Sequence, residues 1–191
     1  EWSNLFKVAD DGPPGLWRAV FPTDMSQTDE EVMSDNAVQM RMHKFFPKEG
    51  DYEIVHRNVY TINQRVASKF RLGRILLAGD SAHLNNSIGG MGLNGGIHDA
   101  VNAADKIIKI WRGEAEENAL DAYDIQRRTT THEFTQAQTI ANKKRLEAKD
   151  AKTRKENLTE LKTMAEDPER AKQFMMGTSM LSAVRRAATL G

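Results

Sequence analysis

Alternating hydrophobic and polar positions divide the first part of the chain into strand-like and helical segments. Residues 1–22 hold two apolar stretches, NLFKVA and LWRAVF, on either side of DDGPPG, and this order predicts two strands around a turn. Residues 28–46 predict a helix, because Thr28 and Glu31 have capping-box spacing and Pro47 closes the segment. The N-terminal region is therefore expected to combine strands with one helix.

The following segments predict further strands and then a long amphipathic helix. Residues 51–66 alternate loosely, which predicts one or two strands, and the apolar run Ile75–Ala78 is typical of a strand buried on both faces. Gly113 occupies the position expected for a helix C-cap. The apolar residues of this helix recur at intervals of three and four: Ile97, Val101, Ala104, Ile107 and Trp111. A glycine-rich segment thus joins a strand to an amphipathic helix.

That segment, GDSAHLNNSIGGMGLNGGIHDA from Gly79 to Ala100, has the features of a ligand site. A helix N-terminus presents unpaired N–H groups and partial positive charge, and glycines let a ligand lie against the backbone. A carboxylate at a strand end, here Asp80, accepts hydrogen bonds from hydroxyl groups. These residues predict a polyhydroxylated ligand with a part that can become anionic. A packing turn, with Asp80 as a helix cap or buried ion-pair partner, remains the alternative.

Two common nucleotide-binding patterns do not fit. The Gly-x4-Gly-Lys-Ser/Thr pattern of phosphate loops is absent. Residues 90–95, GMGLNG, match Gly-x-Gly-x-x-Gly formally, but no second strand ending in an acidic residue follows about 20 residues later. We therefore expect that this segment is not the first turn of a dinucleotide-binding fold.

Composition narrows the function classes. The chain has 191 residues with 27 basic and 27 acidic side chains, so no net field favours nucleic acid or a membrane surface. It lacks cysteine and any apolar run of roughly 18 residues, and a cytoplasmic location is the default expectation. No metal site is predicted, because His43 and His56 lack partners at ligand spacing and His132 lacks the second histidine of a zinc helix.

The stretch from Gly73 to Ile107 resembles the second flavin-binding motif of the p-hydroxybenzoate hydroxylase family, which are single-component FAD-dependent aromatic monooxygenases. The resemblance is strong over 65–111, diffuse over 1–64 and weak after residue 130. The positions that fit the family pattern are Gly73, Arg74, Gly79, Asp80, Ala82, His83, Gly89, Gly92, Asn94, Asp99, Ala100 and Asn102. The resemblance implies FAD as cofactor, NAD(P)H and oxygen as co-substrates, and a phenol-like aromatic substrate.

The resemblance also implies roles for individual residues. Asp80 would hydrogen-bond the ribityl chain of FAD, and the N–H groups of Leu93 and Asn94 would face the N1–O2 edge of the flavin. The loop along the isoalloxazine ring would contain Gly89, Gly90 and Gly92. His83 is expected to support this loop rather than to act as a base. No catalytic residue is assigned.

Ser87 departs from the family pattern, which usually has proline at this point of the active-site loop. Serine frees the backbone torsion that proline would fix and adds a hydroxyl group. We expect a more mobile loop or a more polar substrate. Contacts of Ser87 with the substrate cannot be carried over from the family.

The expected fold class is α/β (α+β): an incomplete FAD/NAD(P)-binding Rossmann-like fold with part of a β-sheet substrate-binding layer and a helical C-terminal region. The expected domains are 1–66 for the sheet layer with one helix, 67–113 for the second FAD motif, and 114–191 for the helical region. Because the first Gly-x-Gly-x-x-Gly unit of the family is not found, the chain is expected to be the C-terminal half of a longer enzyme and inactive alone.

The expected partners are the aromatic substrate, oxygen, the missing N-terminal half, and a second copy that would form a homo-oligomer. A methionine-rich stretch could add to such contacts through Met175, Met176, Met180 and Leu181. Two alternatives stay open. One is a non-catalytic interaction domain that lacks the cofactor, and the other is a related flavin-dependent halogenase or oxidoreductase.

Overall fold

The structure is a computed structural model that describes residues 2–9, 12 and 15–191. The chain forms two compact units, Glu1–Thr61 and Ile62–Gly191. The elements of the first unit are β1 (Asn4–Val8), β2 (Leu16–Val20), α1 (Asp29–Met33) and α2 (Asp35–Phe45). The strands and first helices of the second unit are β3 (Arg65–Val66), β4 (Arg71–Leu72), β5 (Ile75–Leu76), β6 (His83–Leu84), α3 (Met91–Trp111) and α4 (Ala119–Thr130).

The rest of the second unit is helical, as expected for this region. The elements after α4 are a π-helix (Thr131–Gln136), α5 (Ala137–Leu146), α6 (Ala151–Glu166), α7 (Pro168–Thr178) and α8 (Leu181–Ala187). The chain is thus mixed and rich in helix. No helix in the described part of the chain is long and apolar enough to cross a membrane.

The N-terminal hairpin confirms the two strands predicted there. β1 and β2 pair antiparallel, from Asn4 opposite Val20 to Val8 opposite Leu16. Most of the predicted turn DDGPPG lies outside the described residues. The two apolar segments lie close together in the chain, which favours their pairing as a hairpin.

The predicted helix over 28–46 is two helices. The capping box is confirmed: the Glu31 N–H donates to Thr28 Oγ1 at 3.2 Å, and the Thr28 N–H donates to Glu31 Oε2 at 2.7 Å. Ser34 is extended, with ψ near 148°, and it both ends α1 and caps α2 by accepting from the Ala37 N–H. Serine competes for backbone hydrogen bonds in this way, so the continuous helix was a wrong prediction.

Two strand predictions are also corrected. Within 51–66 only the two residues of β3 form a strand, and residues such as Val55 and Tyr60 are exposed. An alternating pattern is not sufficient for a strand, because a strand also needs a neighbouring strand to pair with. The run Ile75–Ala78 is not a strand buried on both faces. It contributes the two-residue β5, which pairs with β4 in a tight hairpin, and Ile75 is 65% exposed.

Helix α3 is confirmed, with Gly113 in the left-handed conformation just after its end. Its predicted apolar face, however, is exposed, and Trp111 is 91% exposed. The buried positions lie on another face and include small and charged residues: Met91, Gly95, Asp99 and Ala103. The exposed residues form what we call the α3 apolar stripe: Ile97, Val101, Ala104, Ile107 and Trp111.

The second unit contains two apolar clusters. The larger one contains Phe70, Ala82, Ala103 and Tyr123, and partly buried residues around β3 and β5 pack against it. The smaller one joins Met91 at the start of α3 to Met180 and Ala183 near the C-terminus. Met180 is therefore part of the core, whereas Met175 and Leu181 are exposed.

We predict that Phe70→Ala lowers the free energy of unfolding of the second unit by about 3–5 kcal/mol, because Phe70 is completely buried and its loss leaves a cavity. Denaturant titration followed by circular dichroism measures this change. The matched control is Leu72→Ala, whose side chain is mostly exposed and should cost less than about 1 kcal/mol. Equal losses in the two variants would contradict the assignment of the core.

Candidate functional site

The glycine-rich segment ends in an open helix N-terminus. Gly90 precedes α3 in the left-handed conformation, with φ of 64°, and no described side chain caps the first turn. Asn94 Nδ2 instead donates to the Gly90 carbonyl at 3.0 Å. Leu93 and Asn94 are both exposed. The N–H groups of this turn and the positive end of the helix dipole can therefore receive an electron-rich ligand edge.

Asp80 lies in a single 3₁₀ turn, Gly79–Ser81, directly after the β5 hairpin. Its carboxylate is exposed and forms no hydrogen bond or ion pair with the residues that the structure describes. The turn is closed by its neighbour instead, since Ser81 Oγ donates to the Ala78 carbonyl at 2.8 Å. The cap and ion-pair alternatives for Asp80 are thus not realised, and its oxygens are available to a ligand.

Two glycines bring this acidic turn against α3. A Cβ atom added at Gly96 would lie 3.2 Å from the Gly79 Cα, which is tighter than most Cβ contacts in proteins, so the backbone at Gly79 would have to shift. Gly79 also has φ of 60°, which favours glycine. Side chains are excluded here because one backbone packs directly on another, which is a packing reason for these two glycines.

A buried carboxylate fixes the same junction. Asp99, completely buried on α3, accepts three hydrogen bonds: Gly79 N–H at 3.0 Å, His83 Nε2 at 2.8 Å and Arg127 Nε at 2.7 Å. Arg127 is buried as well and also donates to Thr130 Oγ1. Asp99 therefore connects the acidic turn, strand β6 and helix α4. His83, which was expected to support the glycine loop, contacts Asp99 of α3.

The electrostatics of Asp99 follow from these contacts. Burial by itself raises the pKa of the carboxyl, but hydrogen bonds from His83, Arg127 and the Gly79 N–H, with the nearby guanidinium charge, lower the pKa below its usual value. Asp99 is accordingly ionised at neutral pH. Nearby, burial raises the pKa of the Tyr123 hydroxyl, which donates to the Leu77 carbonyl and stays protonated.

The segment between β6 and α3, Asn85–Gly90, is a loop. Ser87 is exposed at its tip, and its carbonyl accepts from the Gly90 N–H at 3.1 Å. Gly89 has φ of 104°, and a Cβ atom there would lie 2.7 Å from Asn142 Nδ2 of α5. The loop is thus enclosed on one side by α5 and open at Ser87.

The structure brings most of the predicted site residues together. One continuous stretch carries the loop and helix start, namely Gly89, Gly90, Gly92, Leu93 and Asn94. Asp80 joins it through the Gly79–Gly96 contact. Sequence reasoning assigned no role to Asp99 or Arg127, although Asp99 was part of the matched pattern. The signal available for Asp99 was its place in the matched family pattern, and no spacing in the sequence marked Arg127.

The chain is similar to known proteins over most of its length. The family described as "FAD binding domain" matches residues 12–138, which is more than half of the chain. Para-nitrophenol 4-monooxygenase of Pseudomonas sp. is 34% identical over 172 residues, covering 90% of this chain and 43% of that protein. The 3-(3-hydroxy-phenyl)propionate/3-hydroxycinnamic acid hydroxylase of Mycolicibacterium smegmatis is 40% identical over 114 residues, covering 60% and 20%.

A solved structure is similar over a comparable share of this chain. The crystal structure of p-nitrophenol 4-monooxygenase from Pseudomonas putida superposes with a TM-score of 0.74 and 29% identity, covering 86% of this chain and 42% of that one. The chain therefore spans less than half the length of these relatives. The resemblance to flavin-dependent aromatic hydroxylases that the sequence indicated is confirmed.

We predict that Asp99→Asn lowers the free energy of unfolding by about 3 kcal/mol or more at neutral pH, because Arg127 is left as an uncompensated buried charge. In the unchanged chain, the pKa of Asp99 is lower in the folded state than in the unfolded state, where it is about 3.9. The ionised carboxylate therefore stabilises the fold at pH values above about 3.9, and this stability is lost as the pH falls through the lower folded-state pKa. The variant should lack this acid-dependent loss.

The measurement is denaturant unfolding at several pH values below about 5, the window in which carboxyl groups titrate. Asp105→Asn is the matched control, because Asp105 lies on the same helix in an exposed pair with Lys109 and should cost at most about 1 kcal/mol. Similar small costs for both variants would show that the Asp99 contacts contribute little.

Proposed function

Because the chain belongs to the FAD binding domain family, we propose that it supplies part of the FAD site of a monooxygenase that hydroxylates a phenol-like aromatic substrate with NAD(P)H and oxygen. The observation that carries the proposal is the uncapped N-terminus of α3 beside the free carboxylate of Asp80. FAD, when bound, supplies the redox chemistry. The residues of this chain bind the cofactor, orient it and limit the access of water.

The geometry supports a division of roles along the flavin. Asp80 accepts hydrogen bonds from the ribityl hydroxyl groups, since its oxygens have no partner among the described residues. The N–H groups of Leu93 and Asn94 would hold the electron-rich N1–O2 edge of the flavin, because the positive end of the helix dipole lies at this helix start. The loop glycines allow the ring to approach, and Ser87 lies on the substrate side.

This activity belongs to a longer protein, since the relatives are more than twice the length of this chain. We propose that the remaining part of that protein covers the α3 apolar stripe and completes a Rossmann-like sheet next to the short hairpins. The stripe runs along α3, and Ile75 of β5 is a further exposed apolar side chain. Residues 1–66 would then supply part of the substrate-binding layer.

We predict that Asp80→Ala in the intact protein weakens FAD binding by about 1.5–3 kcal/mol, or roughly 10- to 150-fold, because a charge-assisted hydrogen bond is lost. Titration of the apoprotein with FAD, followed by quenching of flavin fluorescence, measures the dissociation constant. Asp105→Ala, an exposed acidic residue on α3, is the control and should bind normally. Normal affinity in Asp80→Ala would remove Asp80 from the site. An intact protein without flavin absorbance would favour the non-catalytic interaction domain.

We predict that the isolated 191-residue chain oxidises NAD(P)H only at the background rate when FAD and a phenol are added, because it holds only part of the cofactor site. Substrate-stimulated turnover would contradict the partial-site proposal.

We also expect the isolated chain to self-associate through the α3 apolar stripe, and Val101→Lys should shift it towards monomer in analytical ultracentrifugation. The matched control is Lys109→Ala on the same helix. A stable monomer of the unchanged chain would contradict the proposal that another part of the protein normally covers the α3 apolar stripe.

A further inference from the structure

The loop Asn85–Gly90 has no ladder of backbone hydrogen bonds, yet its conformation is specified by buried side chains. Asn86 is 3% exposed, and its Nδ2 donates to Gln64 Oε1 at 2.8 Å and to the Thr139 carbonyl at 3.0 Å. Its Oδ1 accepts from the Ile88 N–H at 3.1 Å. One asparagine thus binds to both neighbouring segments and to its own loop.

Partners from the π-helix and α5 complete this arrangement. Gln64 Nε2 donates to Gln136 Oε1 at 2.6 Å and to Thr139 Oγ1 at 2.9 Å. Gln136 Nε2 donates to the Leu84 carbonyl at 2.9 Å, at the entrance to the loop. We call Gln64, Asn86, Gln136 and Thr139 the loop clamp. Its side chains are uncharged and hydrogen-bonded, so the arrangement is geometrically specific and does not depend on pH.

The π-helix brings the clamp residues to the loop. Gln136 is the last residue of this wider turn, and Thr139 follows one turn later, completely buried on the same side. π-Turns within α-helices are rare and occur frequently at functional sites. Farther along α5, Asn142 Nδ2 donates to the Ile88 carbonyl at 3.3 Å. One helical segment therefore contacts the entrance, the middle and the end of the loop.

We propose that the loop clamp is a positioning device that holds Asn85–Gly90 in the conformation needed at the flavin ring. The inference rests on the proposed function for the identity of the ligand, but the restraint on the loop is a property of the chain itself. The clamp residues are positioning residues, because they contact the loop and not the reacting atoms. The clamp also compensates for Ser87, which does not fix the backbone as a proline would.

The test compares Gln136→Leu with Gln126→Leu in the intact protein. Gln126 lies on α4, is half-buried, and makes similar bonds: it accepts from Asn102 and Lys106 and donates to the Leu190 carbonyl. Both variants lose a comparable set of amide hydrogen bonds, but only Gln136 belongs to the clamp. Thr139→Val, which keeps volume but removes the hydroxyl, and Thr139→Ser, which keeps the hydroxyl, form a second pair.

The first readout is hydrogen–deuterium exchange of the loop amides without added FAD. Gln136→Leu and Thr139→Val should speed exchange at Ile88 and Gly90 by about tenfold, as expected for a lost hydrogen-bond restraint. Gln126→Leu and Thr139→Ser should leave these amides at the rate of the unchanged protein. Equal acceleration by Gln126→Leu, or no acceleration by either clamp variant, would overturn the proposal.

The second readout is the visible absorbance band of bound FAD. The clamp variants should alter the band position or fine structure, because the ring no longer lies against a fixed loop, while Thr139→Ser should restore the original spectrum. An unaltered spectrum in variants whose loop exchanges faster would overturn the link between clamp and flavin. An unchanged protein that binds no FAD would instead refute the proposed function, and the exchange result would still decide whether the clamp restrains the loop.

Discussion

The three hydrogen bonds to the Asp99 carboxylate hold the site together, because they join segments that have few apolar contacts of their own. The acidic turn contains only Gly79, Asp80 and Ser81, and β6 is two residues long. Neither could fix its position by burial alone. Since an ionised carboxylate in the interior needs full compensation, Gly79, His83 and Arg127 must all be in place at once. The placement of Asp80 beside α3 follows from this requirement.

Elements formed by local interactions could be predicted from the sequence. The capping box of Thr28 and Glu31, the β1–β2 hairpin and the glycine after α3 depend on residues of one short stretch of chain each. The break at Ser34 also has a local cause, but capping and continuation of a helix compete closely at a serine. The buried face of α3 could not be predicted. Periodicity identifies an apolar face of a helix, but it does not reveal which face packs against the other elements of the second unit.

The same distinction applies to the candidate site. The glycines, Asp80 and the start of α3 form one contiguous stretch, so a pattern of residue types located them. The loop clamp links Gln64 to Asn86, Gln136 and Thr139, positions distant in sequence and ordinary in composition. No periodicity or spacing marks such a set, and only the folded chain brings it together. Asp99 is intermediate, because its position was recognised but its partner Arg127 was not.

The π-helix also affects how the chain tolerates a change in length. A π-turn accommodates one residue more than an α-helical turn, whereas one extra residue in a regular α-helix rotates everything after it by about 100°. The residue taken up between Thr131 and Gln136 therefore leaves α5 facing the loop, as a regular helix one residue shorter would. A residue added or removed in the regular helix just before Thr139 would instead turn Thr139 and Asn142 away from the loop. The tolerance for a change in length thus lies in the π-turn and not in the helix that follows it.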